Sequence, residues 1–204
     1  KLLATVNGVT RPTTVTPYSS SVAGSGYYSG SGDYITYAQT SLLNLGTGDY
    51  TIEWYEYDLG SGSFPRIFWY GSTPSLGMSQ EGSAASRSCY IWPGATNIAT
   101  TGITVNTWYH FALVRNGTAV NLYLNGTSEA SSTKSDDFSQ TDALLIGNSR
   151  NGTQTFTGYI SNVRITKQAL YTSNFTPSTA ALTTASQGAS AANVIFLGCQ
   201  TNIS

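Results

Sequence analysis

Few residues in this chain have side chains suited to chemistry, and three of them share one short run. Glu53, Glu56 and Asp58 lie in Tyr50 to Asp58, a run whose aromatic and β-branched residues mark it as a strand. Side chains two apart on a strand share a face, so Glu56 and Asp58 point together beside Trp54, and Glu53 points the other way. Two carboxylates roughly 5 Å apart on one face can serve as the acid and nucleophile of retaining glycoside hydrolysis. Without hydrolysis, the same pair can hydrogen-bond the hydroxyls of a bound sugar. A second acidic set, Asp136, Asp137 and Asp142, sits in a polar segment flanked by Ser135 and Ser139. Its carboxylates are the candidate ligands for calcium, which takes oxygen donors, though paired aspartates also serve as plain turn formers. The single histidine, His110, stands between Tyr109 and Phe111 and reads as a satisfied inter-strand residue rather than a base. One histidine and no Cys-x-x-Cys leave no zinc set, and no Gly-x-Ser-x-Gly elbow supports a nucleophilic serine. For a neutral sugar the useful groups are flat rings that cover its apolar face. Trp69 and Tyr70, just before Gly71, and Trp92, just before Pro93-Gly94, lie at strand ends where rings can be exposed; Trp108 is assigned to the core.

The elements that must position these groups are strands. Only 9% of the 204 residues are charged, against about 25% in an ordinary soluble domain. Serine and threonine fill 56 positions and glycine 21, so polarity comes from hydroxyls. Such a composition excludes a helical bundle and favours an all-β chain. Nine basic residues against ten acidic ones give a net charge of −1, which argues against nucleic-acid partners. No run approaches the ~20 apolar residues of a membrane span. Strands are expected near residues 33–37, 50–58, 66–71, 76–80, 88–92, 108–115, 119–124, 143–147, 158–166 and 194–199, a spacing that suits a β-sandwich. Asn116-Gly117 and Asn125-Gly126 predict two-residue hairpin turns and therefore a three-strand meander. Lys167 to Tyr171 is expected to form one helical turn as a connector. Residues 1–26, with Pro12 and Pro17, read as an extended connecting arm or an edge strand. Cys89 and Cys199 are either two free thiols or one bridge.

Several of these stretches together resemble a known family. Tyr27 to Ile35, Tyr50 to Tyr55, the hairpin Trp108 to Arg115 with Val120 to Gly126, Leu144 to Gly147 and Gly158 to Ile165 are similar to the core strands of laminin-G-like, concanavalin A-like lectin/glucanase jelly rolls. The resemblance implies two antiparallel sheets stacked face to face over residues 27–204. It implies no particular activity, because the fold hosts lectins, adhesion modules, glycosidases and structural parts. The glycosidases carry Glu-x-Asp-x-x-Glu or Glu-x-Asp-x-Glu on one strand, whereas here the order is Glu-x-x-Glu-x-Asp. Hydrolysis is therefore the least supported reading. Glu56 also replaces a usually aliphatic, inward residue and needs a partner; Arg66 is the nearest in sequence. Some relatives bind calcium at a rim loop, which keeps Asp136, Asp137 and Asp142 in view.

Ala169 to Pro177 and Phe196 to Gln200 resemble a subset found in virion proteins of marine and cyanobacterial phages. This implies a non-catalytic tail-fibre, tail or capsid-surface component on the virion surface, present in many copies among neighbouring virion proteins. Its ligand would be cell-surface glycan; the alternative is a structural part with no ligand.

Overall fold

The computed structural model describes residues 4–12, 15–18, 24–62, 64–71, 75–79, 86–92, 96–139, 142–149 and 152–200. Alternation decides the central strand. In β4 (Tyr50–Asp58), Tyr50, Ile52 and Trp54 point inward to the core, and Thr51, Glu53, Tyr55 and Tyr57 occupy the other face. Trp54 stacks on Phe111 with ring centres 5.3 Å apart and meets Phe68 edge-on at 5.2 Å. Each fully buried ring of this kind contributes about 1.5–3 kcal/mol through removal from water.

Two antiparallel sheets sandwich this core. Sheet one runs in the order β1 (Ala4–Asn7), β3 (Tyr34–Tyr37), β12 (Leu144–Ile146), β5 (Arg66–Gly71), β6 (Ser75–Ser79), β7 (Arg87–Trp92) and β8 (Thr96–Thr100). Sheet two runs β11 (Thr127–Thr133), β10 (Ala119–Leu124), β9 (Trp108–Asn116), β4, β13 (Thr157–Thr166) and β14 (Val194–Gly198), with β2 (Gly26–Ser29) also paired to β13. The chain is thus an all-β sandwich of the concanavalin A-like jelly-roll type.

The expected meander is present as β9, β10 and β11, but its two turns differ. Asn125 and Gly126 both have positive φ, 49° and 81°, as a type I′ turn demands. In the first hairpin Asn116 is still in the strand opposite Ala119, so Gly117, with φ 60°, takes the first central position. Several described residues before Tyr27 are tied to the sandwich: β1 is an edge strand on β3, Thr10 bridges Tyr27, and the Ser161 hydroxyl donates to the Gly24 carbonyl at 2.7 Å. The expected helical turn at Lys167–Tyr171 is absent. The Thr51 hydroxyl donates to the Gln168 carbonyl at 2.8 Å and accepts from the Leu170 N–H at 3.0 Å, and Lys167 N–H bonds Asn193 O, so this backbone is tied outward to the sheet instead of to itself. Cys199 carries a free thiol, and burial pushes it up to about 11.

Residues 167–188 form a strap over the outer face of sheet two. Tyr171 and Phe175 stack at 3.5 Å, and Tyr123 of β10 meets Phe175 edge-on at 5.5 Å. The strap docks on the second hairpin turn, where Phe175 N–H donates to Gly126 O at 2.9 Å. A Cβ at Gly126 would lie 1.9 Å from the Phe175 carbonyl oxygen. Gly126→Ala is therefore expected to cost about 1–3 kcal/mol, from both the positive φ and the clash. A shift in the urea midpoint measures it.

Candidate functional site

Beyond the strap, the outer face of sheet two ends in a cluster of aromatic rings. Tyr27 of β2 is paired with Tyr159 of β13, Tyr159 with Tyr57 of β4, and Tyr57 with Trp108 of β9. Ring centres are 5.1 Å apart for Tyr27 and Tyr159, 5.9 Å for Tyr159 and Tyr57 and 5.5 Å for Tyr57 and Trp108, with planes turned by 42°, 71° and 56°. Trp108 and Tyr159 are themselves 6.5 Å apart, so Tyr57, Tyr159 and Trp108 close a triangle with Tyr27 at its Tyr159 corner. All four side chains are half-buried. Alternation explains their orientation, because Tyr28, Ile160 and Phe111 on the same strands face the core. Among the described residues, none of the three hydroxyls nor the Trp108 indole N–H makes a hydrogen bond. Trp108 is not in the core as its sequence suggested: it packs with Tyr18, Tyr55 and Ala181 on the outside of the sheet.

Next to these rings, under the strap, lies a buried ionic cluster. Glu53 Oε1 accepts from Arg164 Nε at 2.8 Å and Nη2 at 2.5 Å, and Oε2 accepts from the Tyr171 hydroxyl at 2.9 Å. His110 Nε2 is 3.1 Å from Oε2. Arg164 Nη1 donates to the Thr183 and Ser186 carbonyls at 2.7 and 2.9 Å, so the cluster fastens the strap. Burial pushes the Glu53 carboxyl up, but the bond and charge of His110, with the charge of Arg164, outweigh it and hold the group below its ordinary value. Burial and the Glu53 charge push the Tyr171 hydroxyl well up, so it remains a donor. His110 lies between strands with its Nε2 on Glu53, while its Nδ1 is buried with no partner among the described residues.

Glu56 and Asp58 share a face with Trp54, as alternation required, but that face is the interior. Their side chains are 1% and 2% exposed. Arg87 reaches across from the other sheet, donating from Nε to Glu56 Oε1 and from Nη2 to Asp58 Oδ2, both at 2.6 Å. The Trp54 indole donates to Glu56 Oε2 at 3.0 Å, and Asp58 Oδ1 accepts from the Gly60 and Ser61 N–H groups. The expected ligand contacts are thus a buried inter-sheet ion triad, and the partner of Glu56 is Arg87 rather than Arg66. Arg66 instead donates to Gln154 at 3.1 Å and lies 5.3 Å from the Trp69 ring centre.

The other sequence candidates also separate. Tyr70 is 2% exposed in the core, its hydroxyl donating to the Leu43 carbonyl, because it shares the inward face with Phe68. Trp69 is half-buried over Gly77, and its N–H is taken by the Gly71 carbonyl at 3.0 Å. Trp92 ends β7 opposite Ser75, and its side chain lies outside the described residues, as does that of Cys89. Among the described residues no three acids, histidines or cysteines come together. The Asp137 carboxylate accepts from Ser139 N–H and Oγ at 2.9 and 2.7 Å, which holds it below its ordinary value. Phe138, next to Asp137, is fully buried against Tyr50.

A cavity of about 580 Å³ opens between edge strands β1 and β14 and is lined by Val6, Val9, Ile35, Leu42, Ile195 and Phe196, among others.

Solved structures share this fold at low identity. Domain 4 of AbnA, an extracellular arabinanase of Geobacillus stearothermophilus solved in complex with arabinotriose, superposes with a TM-score of 0.61 at 16% identity, over 81% of this chain and 82% of its own. The CBM40 of the Ruminococcus gnavus IT-sialidase, solved with α2,3-sialyllactose, gives 0.52 at 12% identity over 63% and 80%. Domains LG4-5 of the mouse laminin α1 chain give 0.57 at 13% identity over 69% of this chain and 40% of that one. No curated protein matches the sequence. Residues 29–174 match the laminin-G model described as the concanavalin A-like lectin/glucanases superfamily, and with that match spanning most of the sandwich, the chain belongs to this family.

Proposed function

We propose that the protein is a non-catalytic glycan-binding module whose ligand lies on Tyr27, Tyr159, Tyr57 and Trp108. The observation that carries this is the cluster itself: four half-buried rings on adjacent strands whose hydroxyls and indole N–H are not engaged within the described chain. Rings of this kind cover the C–H face of a sugar while nearby hydroxyls bond its polar edge. Glu53, Glu56 and Asp58 are committed to internal ion pairs, which supports binding without bond cleavage. The saccharides held by the arabinanase and sialidase domains of like fold support the same ligand class.

A single cluster of rings gives weak binding, which many copies on one particle would raise by avidity. We further propose that the module is displayed on a phage particle, on the strength of the resemblance of Ala169 to Pro177 and Phe196 to Gln200. Antibody labelling of purified particles tests that location. A neighbouring virion protein found seated on the rings would favour a structural part instead.

For glycan binding, Trp108→Ala and Tyr57→Ala are each expected to weaken affinity about tenfold, since losing one stacked ring costs on the order of 1.4 kcal/mol. Trp69→Ala is expected to leave affinity unchanged. Calorimetric titration with ligands chosen on a glycan array measures this, and full binding by the Trp108→Ala, Tyr57→Ala double variant would exclude the ring cluster.

A further inference from the structure

We propose that the cavity between β1 and β14 is a separate binding site, for a free amphipathic monocarboxylate whose alkyl chain lies inside and whose carboxylate meets Arg11 at the rim. The site uses none of the rings assigned to glycan. Gly26 lines the cavity, whereas its neighbour Tyr27 points to the outer face.

The cavity follows from how the two sheets end. β1 is the last strand of sheet one, and β14 the last of sheet two. Val6 is paired with Ile35 and Ala4 with Tyr37, and residues opposite each other on neighbouring strands share a face. Ile35 faces the core, so Ala4, Val6 and Tyr37 face inward as well. Yet Val6 is 46% exposed, and Leu42, on the short turn Ser41–Leu43 that meets β14, is 56% exposed. On the side of sheet two, Phe196 meets Tyr37 edge-on at 4.6 Å, and a Cβ at Gly198 would lie 3.2 Å from the Tyr37 hydroxyl. β2 and β14 share one edge of β13, along residues 157–160 and 163–166, and Gly26 and Cys199 line the cavity where one gives way to the other. The volume of about 580 Å³ lies within the ~300–1,000 Å³ of small-molecule sites and far exceeds the gaps of a close-packed interior.

The lining selects the ligand. Val6, Val9, Ile35, Leu42 and Ile195 are aliphatic and suit a flexible alkyl chain, which asks for no matching polar groups. Most polar groups of the lining are engaged within the chain. The Ser25 hydroxyl donates to the Val15 carbonyl at 2.7 Å, the Gln200 amide donates to Asn162 and Leu182, and the Cys199 thiol is 3.8 Å from the Tyr28 hydroxyl. Two groups are left. Among the described residues neither the Arg11 guanidinium nor the Tyr37 hydroxyl makes a hydrogen bond or an ion pair. The bridge from Thr10 to Tyr27 sets Arg11, an exposed residue, at the rim. Burial pushes the Cys199 thiol and the Tyr37 hydroxyl up, and the Arg11 charge pulls against it at both, so the field of the guanidinium reaches into the cavity. One cation and one hydroxyl above aliphatic walls match a single carboxylate on an alkyl chain. An uncharged chain would leave Arg11 unused, and a cationic one would be repelled.

The test is calorimetric titration with straight-chain carboxylic acids of about six to fourteen carbons, kept below their micelle concentrations, and with the matching alcohols. Affinity is expected to rise about threefold per methylene until the cavity is full, and each acid is expected to bind about fivefold more tightly than its alcohol. Arg11→Met should remove that preference and leave the alcohols unchanged. Val6→Trp, which fills the cavity from an exposed edge, should abolish binding of both with an unchanged urea midpoint. Acids that bind the wild type and Arg11→Met equally, or binding that survives Val6→Trp, would overturn the proposal, as would the absence of saturable binding by every acid in the series.

Discussion

Arg87→Met is expected to destabilise the protein by about 3–5 kcal/mol, because it leaves two carboxylates buried without their cation. Glu56 and Asp58 sit in the interior between the sheets, and the guanidinium bonds both at 2.6 Å. A methionine fills the volume but neutralises nothing. Burial already pushes the Glu56 carboxyl up against the opposing pull of Arg87, so removing Arg87 favours its protonated form further. The deficit of the variant should therefore shrink on acidification. Combining Arg87→Met with Glu56→Gln and Asp58→Asn is expected to recover most of the loss, since a buried triad replaced as a unit is often neutral. Each new side-chain amide keeps one oxygen as an acceptor, the first for the Trp54 indole and the second for the Gly60 and Ser61 N–H groups. Urea unfolding of the three proteins measures this; an unchanged midpoint in Arg87→Met would show that the triad does not hold the sheets together.

Glu53→Gln is expected to cost about 3 kcal/mol at neutral pH, for a related reason with a different pH signature. The amide has one oxygen for the work of two, and Arg164 is left buried without a counter-charge. The folded-state value of Glu53 lies below its ordinary 4.5. A depressed carboxyl contributes stability that is fully present above the unfolded value and lost as pH falls through the folded one. The wild type should therefore lose stability on acidification below about pH 4.5, and the gap to Glu53→Gln should close over the same window. Thermal melts from about pH 7 down to 3 read this slope. Because the cluster fastens residues 167–188, limited proteolysis of the variant at neutral pH should cut there first. A variant whose gap to the wild type stays constant with pH would assign the loss to packing alone.

The strands with strong local signals were legible. Tyr50–Asp58 announces itself by its aromatic and β-branched residues, and the hairpins by Asn-Gly, because composition and turn signals are local properties. β8 and the pairing of β1 and β2 carried no such signal. Their sequences are short, and non-local partners specify them. The faces of Glu53, Glu56 and Asp58 followed from period two, and the family resemblance put Glu56 inward, but its partner did not follow. That partner is Arg87, 29 residues beyond Asp58 on the opposite sheet. The aromatic cluster was illegible for the same reason. Tyr27, Tyr57, Trp108 and Tyr159 lie on four strands that become neighbours only through β4, β9 and β13. Trp108 was misassigned because a tryptophan opening an apolar strand looks inward by composition. The signal available was on β4 itself, where Tyr55 and Tyr57 both oppose Trp54.

Of nine basic and ten acidic residues, at least eight have buried side chains: Asp33, Glu53, Glu56, Asp58, Arg66, Arg87, Arg115 and Arg164. Charge is scarce in this chain, and much of it is spent inside. What reaches the surface sets up almost no long-range field, so added salt has little to screen. Encounter with an uncharged partner is then neither steered nor opposed at a distance. Contact-range forces alone decide the outcome, and ionic strength leaves them largely unaltered.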